Sequence, residues 1–281
     1  MAKKIIVTGG NGFIGSALVE ELLKTNYEVS VLDYIPGNKK GVQYYPLDIR
    51  NKEEVQKCID KIKPEVIIHL AGLINGDYEN MYKTNVLGTK NILDAFQGRS
   101  IFLSTGMIYQ GNPTPYKETM LLNPQDNYAK SKKLGEELFL QKRDAVVIRT
   151  SLVYGPNQNG IMFIPYLREF LRKKIGAFKM TKGEQKRDFI HIQDLINAIT
   201  LLIEHPYTGI LNISSGQNIE LKEVIKIAKE IVGNFQIENS IPYREQELWD
   251  YCLDNSKAKK ELNWEPKIRF KDGLKETLLS P

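Results

Sequence analysis

The sequence predicts an α/β fold: a doubly wound parallel sheet with a smaller, interleaved C-terminal lobe. Three observations carry this. Apolar strand-like runs alternate with helix-period segments through the first half of the 281 residues. The first run, Ile5-Ile6-Val7, passes straight into Thr8-Gly9-Gly10-Asn11-Gly12-Phe13-Ile14-Gly15. Beyond about residue 150 the alternation loosens into loops rich in Pro and Asn.

The first run reads as a buried strand, followed by a tight glycine turn and a helix starting near Gly12. That order presents unpaired backbone N–H groups and a positive helix end to a diphosphate. Gly9 suits the sharp turn, Gly12 a close approach of backbone to phosphate, and Gly15 close packing of helix on strand. Leu18 and Leu22 continue an apolar helix face, and the next strand, Glu28–Leu32, ends at Asp33. Asp33 lies 18 residues beyond Gly15, close to the spacing of a carboxylate that bonds the ribose hydroxyls of NAD. Strands are expected at Lys4–Val7, Glu28–Leu32, Val42–Tyr45, Val66–Leu70, Ser100–Ser104 and Ala145–Thr150. Helices are expected near 13–25, 51–62, 79–97 and 126–142. Right-handed βαβ crossovers would then gather the strand-end residues Gly9, Asp33, Asp48, Ala71 and Thr105 along one sheet edge.

Farther on, Pro156, Asn157, Asn159, Gly160 and Pro165 mark a long loop. A helix near 164–174, a strand at Ile210–Ile213, a helix at 220–233 and an irregular segment with Pro242 and Pro266 follow. Residues 1–155, with a returning segment near 188–213, read as the nucleotide-binding unit. Residues 156–187 and 214–281 read as a substrate lobe over its cleft.

Hydrophobic content of 42% and charged content of 26% are ordinary for a globular protein. No apolar run approaches the roughly 20 residues that span a bilayer, and Ile5-Ile6-Val7 is too short for a signal-peptide core. Cys58 and Cys252 form no disulfide framework, and His69, His191 and His205 are too dispersed for a metal site. A cytoplasmic enzyme with no metal and no membrane association is the natural inference. The net charge of +5 is mild. Its basic run (Arg168, Arg172, Lys173, Lys174, Lys179, Lys182, Lys186, Arg187) reads as a solvated face or as attraction for an anionic substrate. It lacks the aromatic interleaving of a nucleic-acid surface.

The chemistry centres on Tyr128-Ala129-Lys130-Ser131-Lys132. Four residues make about one helical turn, so the Tyr128 hydroxyl and the Lys132 ammonium share a face. A nearby cation would stabilise the phenolate and lower the Tyr pKa toward neutrality, as an acid or base needs. Thr105, closing the strand Phe102-Leu103-Ser104-Thr105, would bond the substrate oxygen.

Together these motifs resemble the extended short-chain dehydrogenase/reductases that act on nucleotide sugars, the NAD-dependent epimerase/dehydratase family that includes UDP-galactose 4-epimerase. The resemblance runs nearly end to end. It covers Thr8–Gly15, Leu47-Asp48-Ile49-Arg50, His69-Leu70-Ala71-Gly72, Thr84-Asn85-Val86-Leu87-Gly88-Thr89, Leu103-Ser104-Thr105 and Tyr128–Lys132. It continues through Val153-Tyr154-Gly155-Pro156, Arg187-Asp188-Phe189-Ile190-His191-Ile192 and Asp254-Asn255-Ser256-Lys257-Ala258. It implies a Rossmann-type domain whose Gly9, Gly12, Phe13, Ile14 and Gly15 hold the NAD diphosphate. By the same resemblance Asp33 holds the adenosine ribose, Asp48 and Ile49 meet the adenine, and Leu70, Ala71 and Asn85 line the cleft. Tyr128 and Lys132 meet the nicotinamide side and, with Thr105, do the chemistry. Arg187, and Arg244 ten residues before Asp254, match the diphosphate contacts of a nucleotide-sugar substrate. A homodimer through the helices flanking Tyr128 is implied as well.

Dehydratases and decarboxylases of this family carry an acid just after the strand-end Thr. Here Gly106-Met107-Ile108-Tyr109 follow Thr105, which disfavours elimination or decarboxylation and leaves hydride transfer. Arg149-Thr150-Ser151 looks more like 4-dehydrorhamnose reductases, whereas Asp33 would repel the 2′-phosphate of NADPH. The expectation is an NAD-dependent C4 epimerase, with NADP disfavoured. An NAD(P)H-dependent nucleotide-4-keto-sugar reductase is the alternative. A non-catalytic dinucleotide-binding regulator is remote, because such proteins commonly lose the Tyr/Lys pair.

Overall fold

A computed structural model describes residues 2–173 and 175–280. In chain order the first six strands are β1 (Lys4–Thr8), β2 (Glu28–Asp33), β3 (Gln43–Pro46), β4 (Val66–His69), β5 (Arg99–Thr105) and β6 (Ala145–Thr150). They are followed by β7 (Leu152–Tyr154), β8 (Phe178–Lys179), β9 (Lys186–His191), β10 (Gly209–Ile213), β11 (Asn218–Glu220) and β12 (Ile237–Glu238). The helices are α1 (Phe13–Leu22), α2 (Lys52–Ile62), α3 (Tyr78–Tyr82), α4 (Thr89–Ala95), α5 (Asn127–Phe139), α6 (Phe163–Lys173), α7 (Ile192–Glu204), α8 (Leu221–Val232), α9 (Ser256–Leu262) and α10 (Phe270–Leu279).

Seven strands in the order β10-β6-β5-β4-β1-β2-β3 form a sheet that is parallel throughout. This is a doubly wound Rossmann-type sheet, and its strand order reverses between β1 and β4. Period-two alternation explains both covered faces. Ile5, Val7, Val29 and Val31 pack with Leu18 and Leu22 of α1 and with α7 on one side. On the other side Ile6, Leu32 and Ile67 meet α2 and α4, while Phe102 and Val147 meet Phe139 of α5.

A second core, with Leu167 of α6, Val224 of α8 and Leu274 of α10, surrounds Phe178, Phe189 and Tyr154. There β9 pairs parallel with β7 and antiparallel with β11, forming a separate three-stranded sheet. The chain then returns through α7 to add β10 beside β6. Two buried carboxylates fasten this return. Asp188 accepts from Leu253 N–H and Ser215 N–H, and Asp194 accepts from Lys267 N–H and Ile268 N–H.

Two sequence expectations change in detail. The helix near 13–25 closes at Leu22. The helix near 79–97 becomes α3, a π-helical turn at Lys83–Gly88, and α4. That wide turn carries Asn85 inward, where it joins the cleft described below; π turns of this kind often mark functional positions. Lys174, at the end of the helix expected near 164–174, lies outside the described residues.

Candidate active site

The loops after β1 and β4 meet at the point where the strand order reverses. Gly9 has φ of +69°, a conformation costly for any residue with a Cβ, and a Cβ there would stand 2.8 Å from the Ala71 nitrogen. A Cβ on Gly15 would stand 2.1 Å from the Gly9 carbonyl oxygen, so α1 can seat on the turn only with glycine at that position. Helix α1 has no capping side chain and no acid in its first turn, whereas Asn51, Asp77 and Asp126 cap α2, α3 and α5. The opening N–H groups of α1 are thus left to an external acceptor, which fits a diphosphate.

Asp33 stands beside this turn, held by two backbone donors: Asn11 N–H to Oδ2 at 3.0 Å and Ile35 N–H to Oδ1 at 3.1 Å. Asp48 accepts from the backbone N–H and guanidinium of Arg50, which holds its carboxyl below the usual carboxylate range. Ile49 packs against Gly88 of the π turn. Leu70 N–H donates to the Thr8 carbonyl and Ala71 N–H to Thr8 Oγ1. The Asn85 side chain is spent on protein partners. Its Oδ1 accepts from Leu73 N–H at 2.7 Å, and its Nδ2 donates to Leu73 O and Ser131 Oγ, each at 2.9 Å. It therefore shapes the cleft from behind.

Thr105 ends β5 and is nearly buried. Its Oγ1 accepts from Met107 N–H at 3.2 Å, leaving its own proton free to donate. Tyr128 opens α5, where Asp126 caps Ala129 N–H. Burial first, and then the Asp126 charge, push the Tyr128 phenol up to about 12. Burial pulls Lys132 down to about 7, against an opposing pull from Glu136. This corrects the expectation that Lys132 draws the phenol toward neutrality. The Lys132 ammonium lies over the Phe102 ring, 4.0 Å from its centroid, and interacts with His69 instead. Helical spacing put the two residues one turn apart on α5; the Phe102 ring of β5 decides where the ammonium sits.

Tyr251 also reaches this centre, a residue sequence reasoning missed. Its hydroxyl donates to the Thr150 carbonyl at 3.3 Å, and the Tyr128 phenol is among the groups that hold its proton on. A Cβ on Gly106 would meet Tyr251 Oη at 2.6 Å and Leu253 at 2.7 Å. A side chain after Thr105 would require the ends of the Tyr251 and Leu253 side chains to shift.

Arg187, in β9, donates to Glu247 Oε1 at 2.9 Å and to the carbonyls of Leu248 and Lys186. Burial and then the nearby Arg244 charge lower its pKa against Glu247. Glu247 also accepts from the Arg244 backbone N–H at 3.4 Å, so one carboxylate ties the Arg244 segment to the Arg187 guanidinium; Glu247 was not anticipated, since the segment that bears it shows no periodicity. Arg149, from the Arg-Thr-Ser segment, faces away from the cleft into a buried ion pair with Glu136, so its charge does not reach a substrate.

Comparison with known proteins agrees with this geometry. A Methanocaldococcus jannaschii protein, provisionally called UDP-glucose 4-epimerase, is 34% identical over 98% of this chain and 97% of its own. UDP-glucuronic acid decarboxylase 1 of Arabidopsis thaliana is 30% identical over 96% of this chain and 68% of its own. The crystal structure of a UDP-glucose 4-epimerase from Thermotoga maritima with UDP-glucose superposes with a TM-score of 0.89, at 28% identity, over 98% of this chain and 97% of that one. Residues 5–214 match the NAD dependent epimerase/dehydratase family, and the chain is an enzyme belonging to it.

Proposed function

We propose that this protein is an NAD-dependent nucleotide-sugar epimerase acting at C4. One observation carries the choice within the family: the position after Thr105 is glycine, and Tyr251 and Leu253 fill the space an acidic side chain would need. Neither Gly106 nor Met107 can protonate a leaving hydroxyl or assist loss of carbon dioxide, so hydride transfer is the chemistry left.

The residues fit the cofactor. The uncapped start of α1 suits the diphosphate, through Gly12, Phe13, Ile14 and Gly15. The backbone-fixed Asp33 carboxylate suits adenosine ribose hydroxyls and opposes a 2′-phosphate. Asp48 and Ile49 would border the adenine, and Leu70 and Ala71 the cleft beyond. When bound, NAD supplies reversible acceptance of a hydride from the sugar carbon. Tyr128 Oη takes up and returns the proton of the hydroxyl on that carbon, while the free Thr105 proton orients the same oxygen. Lys132, one turn along α5, would meet the nicotinamide side of the cofactor. Arg187 and Arg244 bind the substrate diphosphate, for which Glu247 must yield Arg187. We assign residues 1–155 with the return near 188–213 to cofactor binding, and 156–187 with 214–281 to the substrate. We also propose a homodimer, because Tyr78, Tyr82, Leu87 and Leu140 leave apolar surface on α3, the π turn and the end of α5.

The purified protein is expected to carry tightly held NAD and to interconvert C4 epimers within a panel of UDP-, GDP-, dTDP- and CDP-sugars, with no net cofactor consumed. Mass identification of the bound cofactor, product analysis and light scattering check this, the last expecting twice the mass of one chain. Stoichiometric loss of NADH or NADPH absorbance with a 4-keto sugar would establish the reductase, the reading that Arg149-Thr150-Ser151 favours.

A further inference from the structure

We propose that His69 is a positioning residue whose imidazole, locked in a single tautomer, sets the spacing between the glycine turn and the helix bearing Tyr128 and Lys132. The inference deepens the cofactor reading above and rests on it. Four hydrogen bonds form one chain. Ala71 N–H donates to Thr8 Oγ1 at 3.2 Å, and Thr8 Oγ1 stands 2.7 Å from His69 Nδ1. His69 Nε2 stands 2.9 Å from Thr89 Oγ1, and Thr89 Oγ1 lies 2.7 Å from the Asn85 carbonyl oxygen.

The two ends dictate the direction. A carbonyl oxygen only accepts, so Thr89 spends its one proton on Asn85 and must receive from Nε2–H. A neutral imidazole has one N–H, so Nδ1 accepts, and Thr8 donates to it while accepting from the Ala71 amide. The other tautomer would strand the Thr8 proton and draw the Thr89 proton away from Asn85. Thr8, His69 and Thr89 are wholly buried, so either loss would leave a polar group without water. Phe102 and Phe139 stack near the ring, with centroids at 5.7 and 5.8 Å and planes within 19°, which fixes its orientation. Burial first, then the Lys132 ammonium, push the imidazole down to about 3, so it stays neutral at physiological pH.

The chain of bonds runs from the glycine turn to α5. At one end, the Ala71 amide abuts Gly9 of the diphosphate turn. At the other end, Asn85 grips Leu73 and donates to Ser131 Oγ, which in turn donates to the Tyr128 carbonyl at 2.8 Å. His69 thus links β1, β4, the π turn and α5.

Nitrogen-15 NMR of histidine-labelled whole protein tests the tautomer. The expected His69 signals are a protonated Nε2 and a bare Nδ1, unchanged as pH falls through the ordinary histidine range, with His69→Asn identifying them among the three histidines. A protonated Nδ1, or a titration in that range, would overturn the proposal. Two variants test the positioning by calorimetric NAD binding and steady-state kinetics. In His69→Asn the amide oxygen falls near the Nδ1 position and can accept from Thr8; in His69→Gln the amide N–H can reach Thr89. His69→Asn is expected to keep NAD affinity within about threefold while losing about tenfold in kcat, and His69→Gln to lose about tenfold in NAD affinity. Equal effects of both variants, or none, would refute the positioning role. Failure of the wild-type protein to bind NAD would refute the function proposed above, while the NMR result would still judge the tautomer.

Discussion

Tyr128→Phe is expected to lower turnover by about 10²–10⁴-fold while leaving NAD binding within a few-fold of wild type. In the proposed mechanism the hydroxyl takes up and returns a proton, whereas the ring fills its place on α5 in either variant. A phenol at about 12 keeps its proton across the physiological range. It is therefore ready to donate, and becomes a base only when charge nearby changes. Single-turnover rates and calorimetric cofactor binding, measured on one preparation, separate the two effects. Wild-type turnover in the variant would remove Tyr128 from the chemistry.

Glu136→Ala is expected to destabilise the protein by about 3–5 kcal/mol, because it strands the Arg149 guanidinium in the interior. Arg149 and Glu136 are 2% and 1% exposed, and the guanidinium donates to Glu136 Oε2 at 2.7 Å and to the Tyr109 hydroxyl at 2.7 Å. Tyr109 in turn donates to Asn212 Oδ1, and Asn212 Nδ2 reaches the carbonyls of Tyr116 and Asp254. One buried network thus ties α5 and β6 to β10 and the C-terminal lobe. A double replacement, Glu136→Met with Arg149→Met, should recover most of the loss, since both buried charges leave together. Thermal unfolding followed by circular dichroism checks both, with a fall of about 10 °C expected for the single variant. A single variant as stable as wild type would show that the pair contributes nothing.

Much of this molecule was legible in its sequence, for physical reasons. Runs such as Ile5-Ile6-Val7 and Val66-Ile67-Ile68 are buried on both faces, so they advertise central parallel strands. The glycine turn was legible because its backbone tolerates no substitute at Gly9 and Gly15. The π turn was not, because its register depends on where Asn85 finds partners across the cleft. Nor were β7, β8, β11 and β12, two or three residues each, whose pairing comes from distant chain. Glu247 and Tyr251 sit on an irregular segment whose course is fixed by Asp188 and by the bridge between Tyr116 and Leu253. The Tyr128–Lys132 spacing was read correctly as one helix face. Which neighbour the ammonium would choose depended on Phe102 and His69, contributed by other strands.

Lys132 makes the fold acid-sensitive. Its folded value, about 7, lies well below the roughly 10.4 of an unfolded lysine. Between those values the unfolded chain binds a proton that the folded chain does not, so folding grows more favourable as pH rises through this window. Below it the penalty is complete. Lys132→Met should therefore melt at a higher temperature than wild type at neutral and acidic pH, with the gap closing toward pH ~10. A pH series of melting curves would show this, and a gap independent of pH would contradict it. The side chain proposed to serve turnover is thus a thermodynamic burden to the fold.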